Sequence, residues 1–427
     1  MRVLVIGSGA REHALAARLV RDLEPGAVVC APGNAGISRL ARTISIDASD
    51  IDAMLMLADR EGIDLTIVGP ELPLGLGIVD RFDSAGRRIV GPTAAAARLE
   101  TSKAFAKTFM LRHGVPTARF HIASSSDEAL RVVRGGDFGF PVVLKADGLA
   151  AGKGVVVADD VDAAEGAIRA AMRERRFGAA GDRLVIEECL CGTELSFFVV
   201  SDGTRAIPIG SAQDHKRIFD DDRGPNTGGM GAFAPSPLAD DALQARIMRE
   251  IVQPVIAGMA AEGYPFRGFL YAGLMITATG PKVIEFNVRL GDPEAEVVLP
   301  MIDEPLPPLL AAVAAGSLRQ PTIRLGGGCF TGVVLASRGY PESSESGQPI
   351  AGLTDAEAVP GVVVYHAGTA RRDGQIVTAG GRVLTIVGRG ADFMESTVRA
   401  YVGALQISFD GMQYRHDIGR KAVARQH

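Results

Sequence analysis

Three polar side chains occupy alternate positions within an otherwise apolar stretch, VIEFNVRL, residues 283–290. Alternate side chains of a β-strand share a face, so Glu285, Asn287 and Arg289 are predicted to present an acid, an amide and a cation side by side. Carboxylate and amide oxygens are ligands that Mg²⁺ takes together with substrate phosphates. A guanidinium can hold a carboxylate or a transferring phosphoryl group. The alternative is a buried structural pair of Glu285 and Arg289.

Lysines and glycines that could bind phosphate precede this strand. The stretch DGLAAGKGV, residues 147–155, lies between two predicted strands, with Lys145 on the first strand and Lys153 in the loop, and Lys103 lies upstream on a predicted helix. Glycine backbone and lysine side chains supply donors at close range to a phosphate. The spacing is not that of a Walker loop. The order strand, loop, strand indicates a hairpin folded over a nucleotide, with a simple turn as the alternative.

Acidic residues close the next predicted strand. The stretch VIEECLCGTELS, residues 185–196, places Glu187 and Glu188 at the end of an apolar run and Glu194 a short loop later. A strand edge can offer backbone groups to an adenine, and an acid can accept ribose hydroxyls. Two acids at a strand end are more often simply solvated, so this stretch alone is a weak indication of a nucleotide site.

The loop GSGAR, residues 7–11, follows the first apolar strand and opens a predicted helix. Glycines there let a phosphate approach the backbone, and a helix N-terminus favours negative charge. A dinucleotide-binding loop would have a third glycine at position 12, where this chain has Glu12, and an acid at the end of the second strand, which ends in Ala-Pro-Gly. We therefore expect a single phosphate of a smaller ligand here, or a plain tight turn.

The composition is that of a soluble globular protein. The chain has 427 residues, enough for two to four domains, and a formal net charge of −5 with its basic residues spread along the sequence. This pattern argues against a nucleic-acid partner. No apolar run approaches a membrane span or a signal-peptide core, which predicts a cytoplasmic protein. The four cysteines are expected to be unbridged thiols, with Cys189 and Cys191 as packing residues.

The sequence divides into three parts. Residues 1–100 alternate short strands with helices, which predicts a parallel sheet covered on both faces and ligands at the carboxyl ends of its strands. Residues 101–324 contain the lysines, acids and glycines described above, with a flap subdomain at about 120–190 and a long polar loop at 213–237 that we expect to be functional. Residues 325–427 are predicted to form a small mixed α+β domain.

Together these features resemble the ATP-grasp ligases, and within them the glycinamide ribonucleotide synthetases (phosphoribosylamine–glycine ligases). The matching stretches span nearly the whole chain in order. They include VLVIGSGAREHAL, APGNAG, SKAF, KADGLAAGKGVVV, QDHKR, YHAGT and the two most specific ones, GPNTGGMGA and EFNVRLGDPE. The resemblance implies a central ATP-grasp fold between a parallel-sheet N-terminal domain and a small mixed C-terminal domain.

The resemblance also implies a reaction. ATP, glycine and 5-phosphoribosylamine would give glycinamide ribonucleotide, ADP and phosphate through glycyl phosphate, as a step of purine biosynthesis. Mg²⁺ or Mn²⁺ would assist, and no serine or cysteine nucleophile is required because phosphoryl transfer depends on positioning and charge neutralisation. The partners would be these small molecules alone, with neither nucleic acid nor membrane, and the protein would be a monomer or a weak homodimer.

Roles carry over to matching positions. ATP would be bound by Lys103, Lys145, the flap residues Gly152, Lys153 and Gly154, and the hinge residues Glu187, Glu188, Leu190 and Glu194. The metal would be bound by Glu285 and Asn287. Arg289, Asp214 and Lys145 would be catalytic, with glycine and the acyl phosphate placed by Asp214, Arg289, Gly229 and Met230. The sugar would be bound by Gly9, Asn34, Gly69, Pro70 and Glu71.

Three residues depart from the pattern of the family. Thr101 stands where glycine is common, Leu290 where phenylalanine is usual, and Glu296 where glutamine is expected. None of these changes removes a proposed ligand, although each could alter affinity. The alternatives to this ligase are another ATP-grasp ligase and a non-catalytic nucleotide-binding regulator, which would need a broken lysine, glutamate or asparagine position. An oxidoreductase would need the missing dinucleotide acid.

Overall fold

The computed structural model describes residues 1–149 and 154–426, and its first part is a five-stranded parallel sheet in the order β3–β2–β1–β4–β5. Every residue of the first strand is buried, which agrees with an apolar run covered on both faces. The predicted parallel α/β layer is confirmed, with one short extra strand, β3. The elements are β1 (Val3–Gly7), α1 (Ala10–Asp22), β2 (Val28–Pro32), β3 (Arg42–Thr43), α2 (Ile51–Arg60), β4 (Leu65–Val68), α3 (Glu71–Gly75), α4 (Ile78–Ser84), β5 (Ile89–Val90) and α5 (Ala94–Thr101).

A four-stranded antiparallel sheet follows in the order β6–β9–β7–β8. Strands β7 and β8 pair with Lys145 opposite Val155, so the hairpin predicted on either side of the glycine-rich loop is present; the loop's residues 150–153 lie outside the described residues. The elements are α6 (Lys103–Arg112), β6 (Phe120–Ala123), α7 (Ser126–Gly135), β7 (Val142–Ala146), β8 (Val155–Ala158), α8 (Val161–Ile168) and β9 (Leu184–Glu188).

An eight-stranded sheet joins the central and C-terminal parts of the chain, in the order β16–β15–β10–β11–β14–β17–β21–β18. Strand β14 pairs with β17, so β17, β21 and β18 of the last part of the chain extend the central sheet. The strands are β10 (Thr193–Asp202), β11 (Ala206–Asp214), β14 (Gly231–Ala234), β15 (Arg267–Thr277), β16 (Gly280–Asn287), β17 (Cys329–Ala336), β18 (Val362–His366) and β21 (Arg382–Gly390).

Helices cover this sheet. They are α9 (Asp241–Ile247), which continues through a π-helical segment, Met248–Val252, into α10 (Gln253–Ala261), then α11 (Glu294–Val298), α12 (Leu306–Ala314), α13 (Leu353–Glu357), α14 (Phe393–Gln406) and α15 (Arg420–Gln426). None of the helices in the described part of the chain combines the length and the apolarity needed to cross a bilayer.

The segment 213–237 is not the long loop that its composition predicts. It contains a two-stranded ribbon, β12 (Arg217–Phe219) and β13 (Arg223–Asn226), between the end of β11 and the start of β14. The second ribbon, β19 (Thr369–Arg372) and β20 (Gln375–Thr378), lies in the last part. Ile218 is the one buried residue of the β12–β13 ribbon, so these short strands lack the alternation of apolar and polar residues that predicts a half-buried strand.

The cysteines only partly match expectation. Cys30 and Cys329 are buried, and Cys189 is partly exposed, but Cys191 is exposed and is therefore not the packing residue that was predicted. Its strand ends at residue 188, so the side chain falls in a turn and not in the core.

Phe233 links the central and C-terminal parts of the eight-stranded sheet. It is 1% exposed, lies on β14 opposite Thr331 of β17, and packs edge-on against Phe393 at 5.5 Å between ring centroids. Ala422 of α15 belongs to the same apolar cluster. The core on this side of the sheet is therefore shared between distant parts of the chain.

We expect Phe233→Ala to lower the free energy of unfolding by about 3–5 kcal/mol, because a large buried side chain leaves a cavity. Since the sheet is continuous, thermal unfolding should show loss of the central and C-terminal parts together. Phe219→Ala is the matched control, because Phe219 is 55% exposed and its removal should change stability little. Independent melting of the C-terminal part in the Phe233 variant would contradict the continuous core.

Candidate active site

A β-bulge shapes the strand that carries the predicted metal ligands. Glu285 and Asn287 lie two apart on β16, and the pairing with β15 shifts register between Glu285 and Val283, which leaves Ile284 without a cross-strand partner. A bulged residue has unpaired backbone groups. Here the Ile284 carbonyl accepts a hydrogen bond of 3.0 Å from the Lys145 ammonium. The bulge thus draws a lysine to the metal strand.

Two buried lysines share one buried carboxylate beside this strand. The Glu187 carboxylate lies 2.9 Å from the Lys107 ammonium and 3.1 Å from the Lys145 ammonium, and all three side chains are at most 4% exposed. Burial lowers the pKa of Lys107 to about 8, against the opposing effect of Glu187. Glu187, predicted among the nucleotide-binding residues, therefore has its carboxylate engaged with lysines, and its role toward ATP remains a prediction.

Lys103 completes this group of lysines. It begins α6, and its ammonium donates to the Gly148 carbonyl at 3.0 Å, next to the glycine-rich loop. Burial lowers its pKa, while the Glu285 carboxylate acts in the opposite direction. Lys107 lies one helical turn further along α6 and was missed from the sequence, although the spacing of four places both lysines on one helix face. Of the flap residues, Gly154 accepts a backbone hydrogen bond from Ala146, and Gly152 and Lys153 lie outside the described residues.

The Glu285 carboxylate stands among cations. Its negative charge acts to raise the pKa of three lysines, Lys103, Lys107 and Lys216. No hydrogen bond or ion pair joins it to another side chain within residues 1–149 and 154–426, and no group of three His, Cys, Asp or Glu residues in that part of the chain forms a metal cage. An unengaged carboxylate two residues from an amide fits Mg²⁺, which takes one or two carboxylates and completes its shell with phosphates and water.

Arg289 joins the metal strand to the N-terminal part. Its guanidinium donates to Glu71 at 3.2 Å, to Glu100 at 2.9 Å and to Asn287 at 3.1 Å. The structural pair weighed in the sequence, Glu285 with Arg289, is therefore absent, and two other carboxylates take its place. Glu100 was not identified from the sequence, because no pattern in its helix indicates a role for it. Its other carboxylate oxygen accepts a hydrogen bond of 2.7 Å from the Val288 amide.

The two carboxylates on Arg289 differ in their proton affinity. Burial raises the pKa of Glu100, and Arg289 offsets only part of that rise. For Glu71, burial acts in the same direction, but the charges of Arg289 and Arg11 outweigh it and lower the pKa. Glu71 is thus held as an anion at the first turn of α3, immediately after Pro70, where the helix N-terminus also favours negative charge.

A second cluster lies at the end of β11. The Lys216 ammonium pairs with Glu194 and lies 3.3 Å from Asp214. Burial raises the pKa of Asp214 to about 7, because it outweighs the attraction of Lys216. For Lys216, burial works toward a lower pKa, but Asp214 and Glu194 prevail and raise it. Lys216 was not assigned from the sequence; its signal was the two-residue spacing from Asp214 on an extended segment.

The hinge residues take separate positions. Glu188 pairs with Arg119 at 2.7 Å and lies 3.6 Å from Lys282. Leu190 follows the strand and is half-buried. Glu194 starts β10, and the nearby positive charge of Lys216 lowers its pKa. Glu188 and Glu194 thus each meet lysine or arginine, as acids at the edge of a phosphate-binding region would.

The turn GGMG has its backbone donors engaged. The amides of Gly228, Gly229 and Met230 donate to the Tyr340 hydroxyl at 2.9 Å, the Thr227 hydroxyl at 3.0 Å and the His215 carbonyl at 2.8 Å. The Met230 side chain is fully buried. These three amides are therefore paired within the protein, and the substrate-binding role of Gly229 and Met230 remains a prediction.

The N-terminal loops close on one another. The Gly9 amide donates to the Glu12 carboxylate at 2.5 Å, and Glu12 packs so tightly against Gly69 that a side chain at position 69 would clash with it. Asn34 donates to the carbonyls of Ser8 at 2.9 Å and His366 at 2.7 Å. An internal carboxylate thus occupies the helix N-terminus where a phosphate was expected, which agrees with the tight-turn alternative for GSGAR.

The departures from the family pattern are accommodated. Glu296 on α11 is completely buried, and both its oxygens lack a hydrogen-bond partner in the described chain. Burial raises its pKa well above the ordinary value, and the side chain has nearly the same shape as that of glutamine. Leu290 is buried in the core, and Thr101 ends α5 against Gly75.

Comparison with known protein families covers most of the chain. Residues 1–100 match the N domain of phosphoribosylglycinamide synthetase, residues 101–295 match its ATP-grasp (A) domain, and residues 330–421 match its C domain.

Individual proteins agree with this match. The chain is 50% identical to a phosphoribosylamine–glycine ligase of Xanthomonas campestris pv. campestris, over 100% of this chain and 99% of the relative. It is 47% identical to the protein of that name from Vibrio cholerae, again over 100% and 99%. Among solved structures, the phosphoribosylamine–glycine ligase of Thermotoga maritima superposes with a TM-score of 0.85 at 34% identity, covering 98% of this chain and 100% of that one.

The fold also extends to more distant proteins. A biotin carboxylase–β,γ-ATP complex from Campylobacter jejuni has a TM-score of 0.73 at 18% identity, over 97% of this chain and 93% of that chain, which shows a shared fold. The family match along the sequence, the full-length relatives and the superposed structure all agree, and the chain belongs to the phosphoribosylglycinamide synthetase family.

Proposed function

We propose that this protein is an ATP-dependent ligase that joins glycine to 5-phosphoribosylamine and forms glycinamide ribonucleotide, ADP and phosphate in purine biosynthesis. The observation that carries the proposal is the unengaged Glu285 carboxylate beside Asn287, set among lysines. Such a site suits a triphosphate with its divalent metal. Family membership and the names of the full-length relatives support the choice of substrates.

The reaction proceeds in two displacements. A glycine carboxylate oxygen attacks the γ-phosphorus of ATP, the bond to ADP breaks, and glycyl phosphate forms. The amine nitrogen of the sugar then attacks the acyl carbon, the C–O bond to phosphate breaks, and the amine loses a proton as the amide forms. Neither step needs a covalent protein intermediate, because the protein's task is to position the reactants and neutralise charge.

The lysines and the flap hold ATP in this proposal. Lys103 and Lys145 lie against its phosphates, and Lys107 supports Lys145 through their shared partner Glu187. The flap residues Gly152, Lys153 and Gly154 would cover the phosphates, and Glu188, Leu190 and Glu194 would line the base and ribose. Glu285 and Asn287 would hold Mg²⁺ or Mn²⁺, which would supply charge neutralisation at the phosphates.

Glycine and the sugar occupy the remaining groups. Asp214 attracts the glycine ammonium, and Arg289 faces its carboxylate and the acyl phosphate, with the turn at Gly229 and Met230 beside them. Gly9, Asn34, Gly69, Pro70 and Glu71 form the sugar site. The protein acts in the cytoplasm as a monomer or a weak homodimer.

An ADP-release assay tests the proposal. Purified protein receives ATP, Mg²⁺, glycine and freshly made phosphoribosylamine, and each component is omitted in turn. Release that requires both glycine and the sugar amine is the expected result. Release with a different carboxylate and amine would mean another ATP-grasp ligase, and tight ATP binding without turnover on any pair would mean a nucleotide-binding regulator.

Glu285→Ala should lower kcat by roughly a hundredfold or more, because a bound metal would no longer neutralise the negative charge on the transferring phosphoryl group. The fold should survive, since the carboxylate is unengaged in the described structure. Circular dichroism checks the fold and metal titration checks binding. Glu262→Ala is the control, since Glu262 pairs with Arg112 near the surface. Full Mg²⁺-dependent activity in the Glu285 variant would remove this metal assignment.

The KM for glycine should fall roughly tenfold as pH rises from about 6 to about 8, because the Asp214 carboxyl is mostly protonated below its pKa and charged above it. Burial sets that pKa at about 7, and only the carboxylate attracts the glycine ammonium. Steady-state kinetics at saturating ATP measure the change. In Asp214→Asn, the KM should be high and independent of pH across this range; a wild-type profile in the variant would exclude Asp214 as the titrating group.

A further inference from the structure

The ribbon β12–β13 grows directly out of the proposed glycine site. At its base, the Thr227 amide donates to the Lys216 carbonyl at 2.7 Å, and the Met230 amide donates to the His215 carbonyl at 2.8 Å. Lys216 is the cation that pairs with Asp214 and Glu194. The base of the ribbon is therefore hydrogen-bonded to the backbone of the two residues that follow Asp214, one of which is Lys216.

The tip of the ribbon consists of three consecutive aspartates, residues 220–222, and it is held by a segment almost 200 residues later. Within that segment, residues 415–421, the His416 amide donates to Asp220 at 2.8 Å. The Asp221 amide donates to Asp417 at 3.0 Å, and the Arg420 guanidinium pairs with the Asp221 carboxylate. We call residues 415–421 the C-terminal clasp.

Arg415 is the centre of the clasp. Its side chain is completely buried, and it donates to Asp222 at 2.9 Å, to Asp417 at 2.7 Å and to the Arg217 carbonyl at 3.0 Å. Lys421 adds a second cation to Asp222 at 2.5 Å. A buried guanidinium that loses a carboxylate partner leaves an uncompensated charge, so these contacts fix the distance between the clasp and the ribbon.

The backbone of the ribbon tip would not keep its shape unaided. Asp221 and Asp222 have φ angles of 58° and 53°, in the left-handed region that a residue with a side chain adopts at an energetic cost. Two such residues in succession persist only where surrounding contacts impose them. The clasp supplies those contacts to both residues.

The clasp also lies close to His215, a buried residue of the proposed glycine site. His215 stands between Asp214 and Lys216 in sequence and is 2% exposed. Burial lowers its pKa to about 4, and the charges of Arg415 and Lys421 act in the same direction. The charges of Asp222 and Asp417 act in the opposite direction, so both members of the clasp's ion pairs lie close enough to His215 to affect it.

We propose that the C-terminal clasp positions Lys216 and Asp214 for glycine, with Arg415 and Asp222 as positioning residues that touch no substrate. This inference rests on the proposed function. Lys103 and Lys145, assigned to ATP, belong to α6 and β7, and their hydrogen bonds and ion pairs go to Gly148, Ile284 and Glu187 and not to the ribbon. Lys216 also pairs with Glu194, a residue assigned to the nucleotide, so we expect the clasp to act mainly on glycine and only weakly on ATP.

The test compares Asp222→Asn with Asp410→Asn. Both remove one carboxylate charge from an ion pair with an arginine: Asp222 with Arg415, and Asp410 with Arg338 at 2.9 Å, away from the ribbon. Asp222→Asn should raise the KM for glycine about five- to tenfold and change the KM for ATP less than twofold, a size expected for a lost charge-assisted hydrogen bond. Asp410→Asn should change neither constant.

Hydrogen exchange gives a measurement independent of turnover. In Asp222→Asn, the amides of Thr227 and Met230 at the ribbon base should exchange at least several-fold faster, whereas a purely local effect would be confined to the tip. Arg415→Lys serves as a second variant if needed, because it keeps the charge but cannot contact two carboxylates and a carbonyl in the same geometry.

Each result decides. A selective rise in the glycine KM with faster exchange at the ribbon base supports the clasp. If the wild type is active but Asp222→Asn changes both KM values equally, or changes neither, the positioning role of the clasp is overturned and the ligase assignment stands. A wild type that releases no ADP with glycine and the sugar amine overturns the proposed function, and the positioning role falls with it.

Discussion

Keeping lysine ammonium groups charged inside a protein is energetically expensive, and the rest of this structure is arranged around that constraint. Glu187 offsets two of the cations, Lys107 and Lys145. A carbonyl released by the bulge in β16 solvates Lys145 from the other side. These contacts bring together the first turns of α6, the end of β9 and the metal strand, which come from two different sheets. The positive region is therefore built by contacts within the protein, and in the proposed function the phosphates of ATP would complete its neutralisation.

Arg289 performs a related task between the parallel sheet and the metal strand. Its guanidinium holds carboxylates from α3 and α5 and the amide of Asn287, so the position of Asn287, the proposed metal ligand, depends on the N-terminal part. Planar, multiply bonded recognition of this kind is specific to arginine. It also means that Arg289 has few donors to spare. A substrate that approaches it would share an existing network, and its charge would be felt at Glu71 as well as at the metal strand.

Sequence reasoning reached the elements with strong local patterns and the residues within them. The parallel sheet follows from apolar runs separated by helices, and the pair β15–β16 follows from two apolar runs around a short turn. The residues that were missed form ion pairs with residues far along the chain. The separation is 80 positions for Lys107 and its partner, 189 for Glu100 and 22 for Lys216. No local pattern identifies such partners. The β12–β13 ribbon was not predicted for another reason. The contacts at its tip join charged groups, and such contacts leave no alternation of apolar and polar residues in the sequence.

The distance along the chain between the ribbon tip and residues 415–421 has a consequence for biosynthesis. Contacts between residues far apart in sequence cannot form until the later residue has left the ribosome, and domains otherwise tend to fold in the order of synthesis. The lysines of α6 and β7 and the metal strand are all made by residue 289, but the tip acquires its partners only after residue 415. In the proposed assignment, the groups that bind the nucleotide are therefore synthesised well before the clasp that positions the glycine site, so the nucleotide site would be the first of the two to be completed.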